Sequence, residues 1–159
     1  MRNKMIIIIG AIVVLFGALY FINDYKNKQT IENNENPYGD KKLEQSTIAQ
    51  LDDPLYNNQI MPEELKEEVE SGEPVTVYFY SPECIHCQNT TPVLVPVTED
   101  LDIDVVKLNL LEFPAEWDNW NIEKTPTLVH YDDSEEVARI IGERTEEEFQ
   151  AFFNEYVID

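Results

Sequence analysis

The sequence predicts an α/β domain, a central mixed β-sheet flanked by helices, that follows one N-terminal transmembrane helix. An apolar run opens the chain, and segments rich in β-branched and aromatic residues alternate with helical segments in its second half. The last two strand-like segments are separated only by Asp132-Asp133-Ser134. Alternating strands and helices favour parallel pairing, whereas a short turn between two strands favours an antiparallel hairpin. We therefore expect parallel pairing at the start of the sheet and a hairpin at its end.

The N-terminal apolar run has the length and the flanking charges of a membrane anchor. Arg2 and Lys4 precede an uninterrupted apolar stretch from Ile6 to Ile22. As a helix this stretch spans about 25 Å, which is the lower edge of what crosses a bilayer. The positive end should remain in the cytoplasm, so the residues after Asn23 should lie outside. A cleaved signal peptide is the alternative interpretation, although no small-residue cleavage pattern follows the run; a buried core helix is a second alternative.

Composition divides the rest of the chain into a linker and a domain. We assign residues 1–23 to the anchor, 24–59 to a polar linker and 60–159 to the folded domain. The linker is rich in Asn, Asp, Glu, Lys and Gln, as expected of a chain that cannot bury enough apolar surface to fold alone. Its second part, from Leu43 to Ile60, carries apolar residues at irregular spacing, compatible with a short helix that packs on the domain.

The sequence of the domain predicts helices and strands that mostly alternate along the chain. A helix begins at Pro62, with acidic residues in its first turn, and ends at Ser71-Gly72. The uncharged segment from Val75 to Tyr80 is typical of a strand buried on both faces. The remaining predicted elements are a helix from the cysteine pair to Asp100, a strand Ile103–Leu110, a short helix Pro114–Trp120, strands Thr127–Tyr131 and Glu136–Ile141, and a terminal helix that opens at Thr145 with a capping-box pattern.

The net charge argues against nucleic-acid binding, and the cysteine count argues against a fold held together by several disulfides. The chain has 11 basic and 32 acidic residues, for a net charge of -21. Such a surface repels phosphates, so we expect no nucleic acid among its partners. The 2 cysteines lie three positions apart, whereas a disulfide framework needs several spread pairs. The pair therefore requires a chemical explanation.

Cys84-Ile85-His86-Cys87 directly follows a predicted buried strand and opens a helix. Free backbone N–H groups and the helix macrodipole at this end stabilise a thiolate on the first sulfur. We predict that Cys84 is the nucleophile that attacks a substrate disulfide and that Cys87 resolves the mixed disulfide. A protonated His86 would lower the pKa of Cys84 further.

A zinc site and a pair of inert buried thiols are the alternatives for this motif. Zinc normally takes four ligands, and only His86 and His130 could join the cysteines as soft ligands. Because His86 lies inside the motif, simultaneous ligation would be strained. We expect no metal and no cofactor other than a redox-active Cys84–Cys87 disulfide.

Residues 60–159 resemble the thioredoxin superfamily. The strand, the cysteine pair and Pro92 are similar to the family's active-site helix and its kink, and Thr125-Pro126-Thr127 is similar to its cis-proline loop. Val106–Asn109 is similar to the family's second central strand, and Gly142 before a terminal helix also fits the family. The resemblance implies a thioredoxin-like fold and thiol–disulfide oxidoreductase activity. It also implies that Pro126 is cis and faces the cysteines, and that the Thr125 backbone pairs with an extended substrate.

The sequence departs from the family pattern around the cysteines. Glu83 stands where thioredoxins usually have tryptophan, and Tyr78 stands where many members bury an acid that accepts the proton of the second cysteine. A carboxylate at Glu83 would raise the pKa of Cys84 somewhat, against the effect of His86. The missing acid and His86 favour oxidation or isomerisation, whereas the general resemblance favours reduction. The direction of electron flow stays open.

These predictions describe a single-pass membrane protein with its catalytic domain on the extracytoplasmic side. Its substrates would be exported proteins carrying thiols or disulfides, because disulfides persist outside the cytoplasm. Tethering would also raise the effective concentration of a redox partner in the membrane. A non-catalytic, thioredoxin-like binding module for export or assembly is the alternative function.

Overall fold

A computed structural model describes residues 2–33 and 36–158. The chain divides into two compact units, Met1–Asn36 and Pro37–Asp159. The first is helix α1, Arg2–Asn33, within which Met5–Gln29 is long and apolar enough to span a membrane. A signal sequence would meet the same criteria of length and composition. The helix continues past the predicted end of the anchor at Asn23, so the first residues assigned to the linker are helical.

The second unit begins well before the predicted domain boundary at residue 60. It includes helix α2, Gln45–Ile48, and a 3-10 turn, Pro54–Tyr56. Tyr38, Leu43, Thr47 and Ile48 are buried. We call residues 37–58 the strap. The assignment of residues 24–59 to a linker is therefore corrected: the short helix expected there is present, but the strap is part of the domain because its apolar side chains are buried in it.

The helices and strands after the strap follow the predicted order. They are α3 (Pro62–Ser71), β1 (Val75–Tyr80), α4 (Ile85–Asp100), β2 (Val106–Asn109), α5 (Glu116–Asn119), β3 (Thr127–Asp132), β4 (Glu135–Ile141) and α6 (Glu146–Tyr156). The sheet order is β2-β1-β3-β4. Strands β1 and β2 are parallel, whereas β3 is antiparallel to β1 and to β4. The predicted parallel start and terminal hairpin are confirmed.

Local backbone geometry explains where the elements end. Asp133 and Ser134 both have positive φ, 48° and 64°, which gives the β3–β4 hairpin a tight turn of the handedness that suits twisted strands. Strand β2 starts at Val106, later than the predicted Ile103. The chain turns before it, with Asp102 at a φ of 54° and the Ile103 N–H donating to the Thr98 carbonyl at 2.9 Å.

Strand β1 is buried on both faces, because helices cover the sheet on each side. Val77 and Phe79 pack in a cluster with Leu65 of α3. Successive strand residues point to opposite faces, so Tyr78 and Tyr80 belong to the other cluster, with α4 and α6. The cysteine motif follows the end of β1 and is carried by α4.

Candidate active site

Cys84 occupies the N-cap position of α4. Its backbone is extended, and its Sγ accepts a hydrogen bond from the Cys87 N–H at 3.4 Å. The unpaired N–H groups of the first helical turn thus point at this sulfur, as predicted from the motif. Both cysteines are free thiols, Cys84 partly exposed and Cys87 only 1% exposed. A substrate can therefore reach Cys84 and not Cys87.

The loop before β3 brings the predicted substrate-binding residues to Cys84. The Thr125–Pro126 peptide bond is cis, as expected. The Cys84 thiol donates to the Thr125 carbonyl at 3.4 Å. Gly142, at a φ of 85°, donates its N–H to the Pro126 carbonyl at 2.8 Å and so ties the loop to the end of β4. The structure therefore brings together Cys84, Thr125 and Pro126 from distant parts of the sequence.

The pKa of the Cys84 thiol lies below its ordinary value. Partial burial raises this pKa, but the Thr125 side chain, the Cys87 side chain and the backbone N–H groups of Cys87 and His86 together lower it by more. Hydrogen bonds to the charged form favour that form, so Cys84 is the sulfur that ionises more easily. Its place at the helix end accounts for the two backbone contributions.

Cys87 behaves in the opposite way. The Cys87 pKa is raised to about 12, mainly by burial and also by the adjacent Cys84, against lowering contributions from the Ser81 backbone and the Thr125 side chain. The two sulfurs of the motif therefore differ in both access and acidity. Cys84 is the more exposed and the more acidic of the two thiols.

The His86 ring pairs with the carboxylate of Glu143, which also accepts a hydrogen bond from Asn89 Nδ2 at 3.2 Å. His86 and Asn89 lower the pKa of Glu143. The contact of His86 with Cys84 runs through its backbone N–H, so an effect of its ring on the sulfur stays a prediction. Sequence reasoning missed Glu143, because no motif separates it from the other acidic residues.

Two further side chains define the surroundings of the cysteines. Tyr78, at the place of the family's buried acid, has its hydroxyl 3.3 Å from the Thr91 hydroxyl, which donates to the Cys87 carbonyl at 2.8 Å. Burial raises the pKa of Tyr78 well above its usual range, so this side chain is neutral. The Glu83 carboxylate accepts a hydrogen bond from the Ser46 hydroxyl of the strap at 3.2 Å. The strap therefore reaches the residue next to Cys84, a contact that the sequence did not indicate.

The two histidines considered as zinc ligands have other partners. His86 pairs with Glu143, and His130 Nδ1 lies 2.9 Å from the Thr76 hydroxyl within the sheet. Over residues 2–33 and 36–158 no group of three or more His, Cys, Asp or Glu side chains could hold a metal ion. The arrangement of the cysteines suits thiol–disulfide exchange.

Comparisons with known proteins agree with this geometry. A family profile described as Thioredoxin matches residues 57–155. The chain is 29% identical over 113 residues to the thioredoxin of Porphyra purpurea, covering 70% of this chain and 98% of that protein. It is 30% identical over 86 residues to the protein disulfide-isomerase of Medicago sativa, covering 52% of this chain and 17% of that protein. The crystal structure of thioredoxin f2 from Chlamydomonas reinhardtii superposes with a TM-score of 0.56 at 23% identity, covering 64% of this chain and 96% of that one, which supports the fold.

Proposed function

Because the chain belongs to the thioredoxin family, we propose that it exchanges disulfides with exported proteins on the extracytoplasmic side of a membrane. Family membership and the Cys-x-x-Cys geometry support thiol–disulfide oxidoreductase activity, without specifying its substrate or direction. The observation that carries the proposal is the Cys84 sulfur, which sits at the N-terminus of α4, is stabilised as a thiolate and faces the cis-proline loop. A binding module would have no use for this activation.

The exchange proceeds in two steps. The Cys84 thiolate attacks one sulfur of a substrate disulfide, which breaks that bond, forms a mixed disulfide and releases the other substrate sulfur as a thiolate. The Cys87 thiol then loses its proton and its sulfur bonds to Cys84, while the second substrate sulfur leaves and takes up a proton. Two electrons pass from the cysteine pair to the substrate. The same steps in reverse oxidise a substrate dithiol.

The substrate chain would lie along the cis-proline loop. In the proposed complex the backbone of Thr125 pairs with an extended substrate segment, and Pro126 packs beside the cysteines. The Thr125 carbonyl that contacts the Cys84 thiol at 3.4 Å is the group that would border the incoming disulfide. This placement puts the substrate sulfur next to Cys84.

The N-terminal helix supports the part of the proposal that concerns exported substrates. The apolar segment Met5–Gln29 can serve as the anchor, and the basic residues before it favour a cytoplasmic N-terminus. The domain would then face a compartment in which disulfides persist. An anchored domain could also exchange electrons with a redox partner in the same membrane.

Trapping of mixed disulfides tests the proposal. In Cys87→Ala the second step is blocked, so substrates should remain covalently attached to Cys84 and be released by a reducing agent. Cys84→Ala is the matched control and should trap nothing. Absence of thiol-sensitive adducts in Cys87→Ala would contradict disulfide exchange and favour a binding role.

Two further measurements test on which side of the membrane the domain lies and in which direction electrons flow. A membrane-impermeant maleimide applied to intact cells should label Cys84 if the domain lies outside, and protection from it until the cells are lysed would contradict that location. The reduction potential of the pair separates the directions: a value near about -270 mV, as in thioredoxin, indicates a reductase, whereas one above about -180 mV indicates an oxidant or isomerase. The missing acid at Tyr78 favours the second outcome.

A further inference from the structure

The strap is held on the domain by buried polar contacts. Asn109, at the end of β2, donates to the Tyr38 hydroxyl at 3.2 Å and to the Thr47 hydroxyl at 3.1 Å. The buried Glu112 carboxylate accepts from the Glu44 N–H at 2.9 Å. Nearly all of the strap precedes the region matched by the family profile. It packs beside the end of the strands that carry the site.

The strap ends by placing Tyr56 against α4. The 3-10 turn that carries it is capped by Asp53, whose carboxylate accepts from the Leu55 N–H at 3.0 Å. Gln59 Nε2 donates to the Tyr56 carbonyl at 2.8 Å and to the Tyr80 hydroxyl at 2.8 Å. The turn packs directly on α4. The position of Tyr56 is thus fixed from both ends.

The half-buried Tyr56 side chain packs on the cluster of buried side chains that includes Cys87. Its ring centroid is 5.6 Å from that of Tyr80, which in turn stacks on Tyr78 at 5.7 Å. It packs against the core cluster that contains Tyr78 and Cys87. Burial raises the pKa of the Tyr56 hydroxyl, Thr91 lowers it, and the negative charge of an ionised Cys87 raises it. Tyr56 from the strap and Tyr78 from β1 therefore pack in the same cluster as Cys87, from two different elements.

Resting on the disulfide exchange proposed above, we propose that Tyr56 is a positioning residue of the redox site. Together with Tyr78 it excludes water from the Cys87 sulfur, so that Cys87 resolves the mixed disulfide slowly and the substrate stays attached to Cys84.

The chemistry of the second step explains the slow release. Cys87 must lose its proton before its sulfur can attack Cys84, and an apolar surrounding disfavours the thiolate. The burial that holds the Cys87 pKa at about 12 is supplied in part by the tyrosine rings. Tyr78 is neutral and cannot take the proton as a carboxylate would. A long-lived mixed disulfide gives another thiol of the substrate time to attack, which is the requirement for isomerisation.

The test uses reduced full-length protein in detergent and the chromogenic disulfide 5,5′-dithiobis(2-nitrobenzoate). Attack by Cys84 releases one nitrothiolate and leaves the other half on the sulfur. Attack by Cys87 on Cys84 then releases the second nitrothiolate and closes the Cys84–Cys87 disulfide. The first phase reports Cys84 and the second reports Cys87, so the proposed function and this inference are measured separately.

In the wild type we expect a fast first phase and a slow second phase. The rate of the second phase should rise about tenfold per pH unit through the neutral range, because the pH stays far below the Cys87 pKa. Tyr56→Ala should leave the first phase unchanged. It should accelerate the second about threefold for each unit by which the Cys87 pKa falls, since the gain in thiolate is partly offset by lower nucleophilicity.

Three variants make the result specific. Tyr56→Phe keeps the ring and should match the wild type, and Tyr156→Ala removes a tyrosine of α6 outside the motif and should also match it. If circular dichroism finds Tyr56→Ala unfolded, Tyr56→Leu is measured instead, with an acceleration of the same sign expected. A second phase equal to that of the wild type in the folded Tyr56 variant would overturn the inference. If the wild type shows no fast first phase, that result would instead contradict the proposed function.

Discussion

Asn109→Ala tests whether the strap is an integral part of the folded domain. Asn109 is fully buried, and its side chain makes three hydrogen bonds: to the Tyr38 hydroxyl at 3.2 Å, to the Thr47 hydroxyl at 3.1 Å, and from the Leu111 N–H at 3.0 Å. Each buried hydrogen bond contributes about 1 kcal/mol net. Alanine removes all three, so we expect the free energy of unfolding to fall by about 3 kcal/mol.

Urea unfolding of the full-length protein in detergent, followed by tryptophan fluorescence, measures this loss. Asn154→Ala is the matched control, because Asn154 makes one exposed hydrogen bond, to the Gln150 carbonyl on α6. An exposed substitution of this kind should change the free energy of unfolding by less than about 0.5 kcal/mol. A loss below about 1 kcal/mol for Asn109→Ala would refute the reasoning, since even one buried hydrogen bond should account for that much.

Three further substitutions probe single contacts. Gly72 ends α3 at a φ of 82°, so Gly72→Ala should cost about 1 kcal/mol in thermal unfolding, and an unchanged Tm would contradict a left-handed backbone at this residue. Thr145→Ala should cost a similar amount, about 1 kcal/mol, because it removes the hydroxyl that accepts from the Glu148 N–H at 3.3 Å; equal stability in chemical denaturation would argue against this cap. Since His86 lowers the pKa of Glu143 in the folded state, the stabilisation from that carboxylate is present above its unfolded pKa and is lost as the pH falls through the folded value. The Tm difference between the wild type and Glu143→Gln should therefore vanish in acid, and a difference that persists there would contradict the ion pair.

The parts of the fold that the sequence predicts best are those with a local signal. Uncharged β-branched residues mark β1, the capping box marks the start of α6, and the turn residues Asp133 and Ser134 mark the hairpin. The cysteine motif likewise carries its own local context, a strand before it and a helix after it. Local context therefore predicts the position of Cys84 and Cys87 at the start of a helix, whereas the position of Thr125 and Pro126 beside them is predicted only by the resemblance to the thioredoxin family.

The folded conformation of the strap was harder to predict because it depends on contacts with residues far away in the sequence. Tyr38 and Thr47 are buried, and their hydroxyls accept hydrogen bonds from the Asn109 amide. The half-buried Tyr56 packs against the Tyr80 ring. Helical or strand periodicity in a sequence gives no sign of such contacts. A polar segment with scattered apolar residues is therefore easily taken for a linker. The pairing of His86 with Glu143 was missed for the same reason, since the two residues lie far apart in the chain.

The account depends on a Cys84 sulfur that ionises easily at the start of α4. The rate at which iodoacetamide alkylates this cysteine in the reduced full-length protein, measured between about pH 5 and 10, tests it directly, with Cys84→Ala as the blank. We predict a midpoint below about 8.5, the value of a free thiol, while Cys87 stays unmodified over most of this range. A midpoint at or above that value, or equal labelling of both cysteines, would contradict the account.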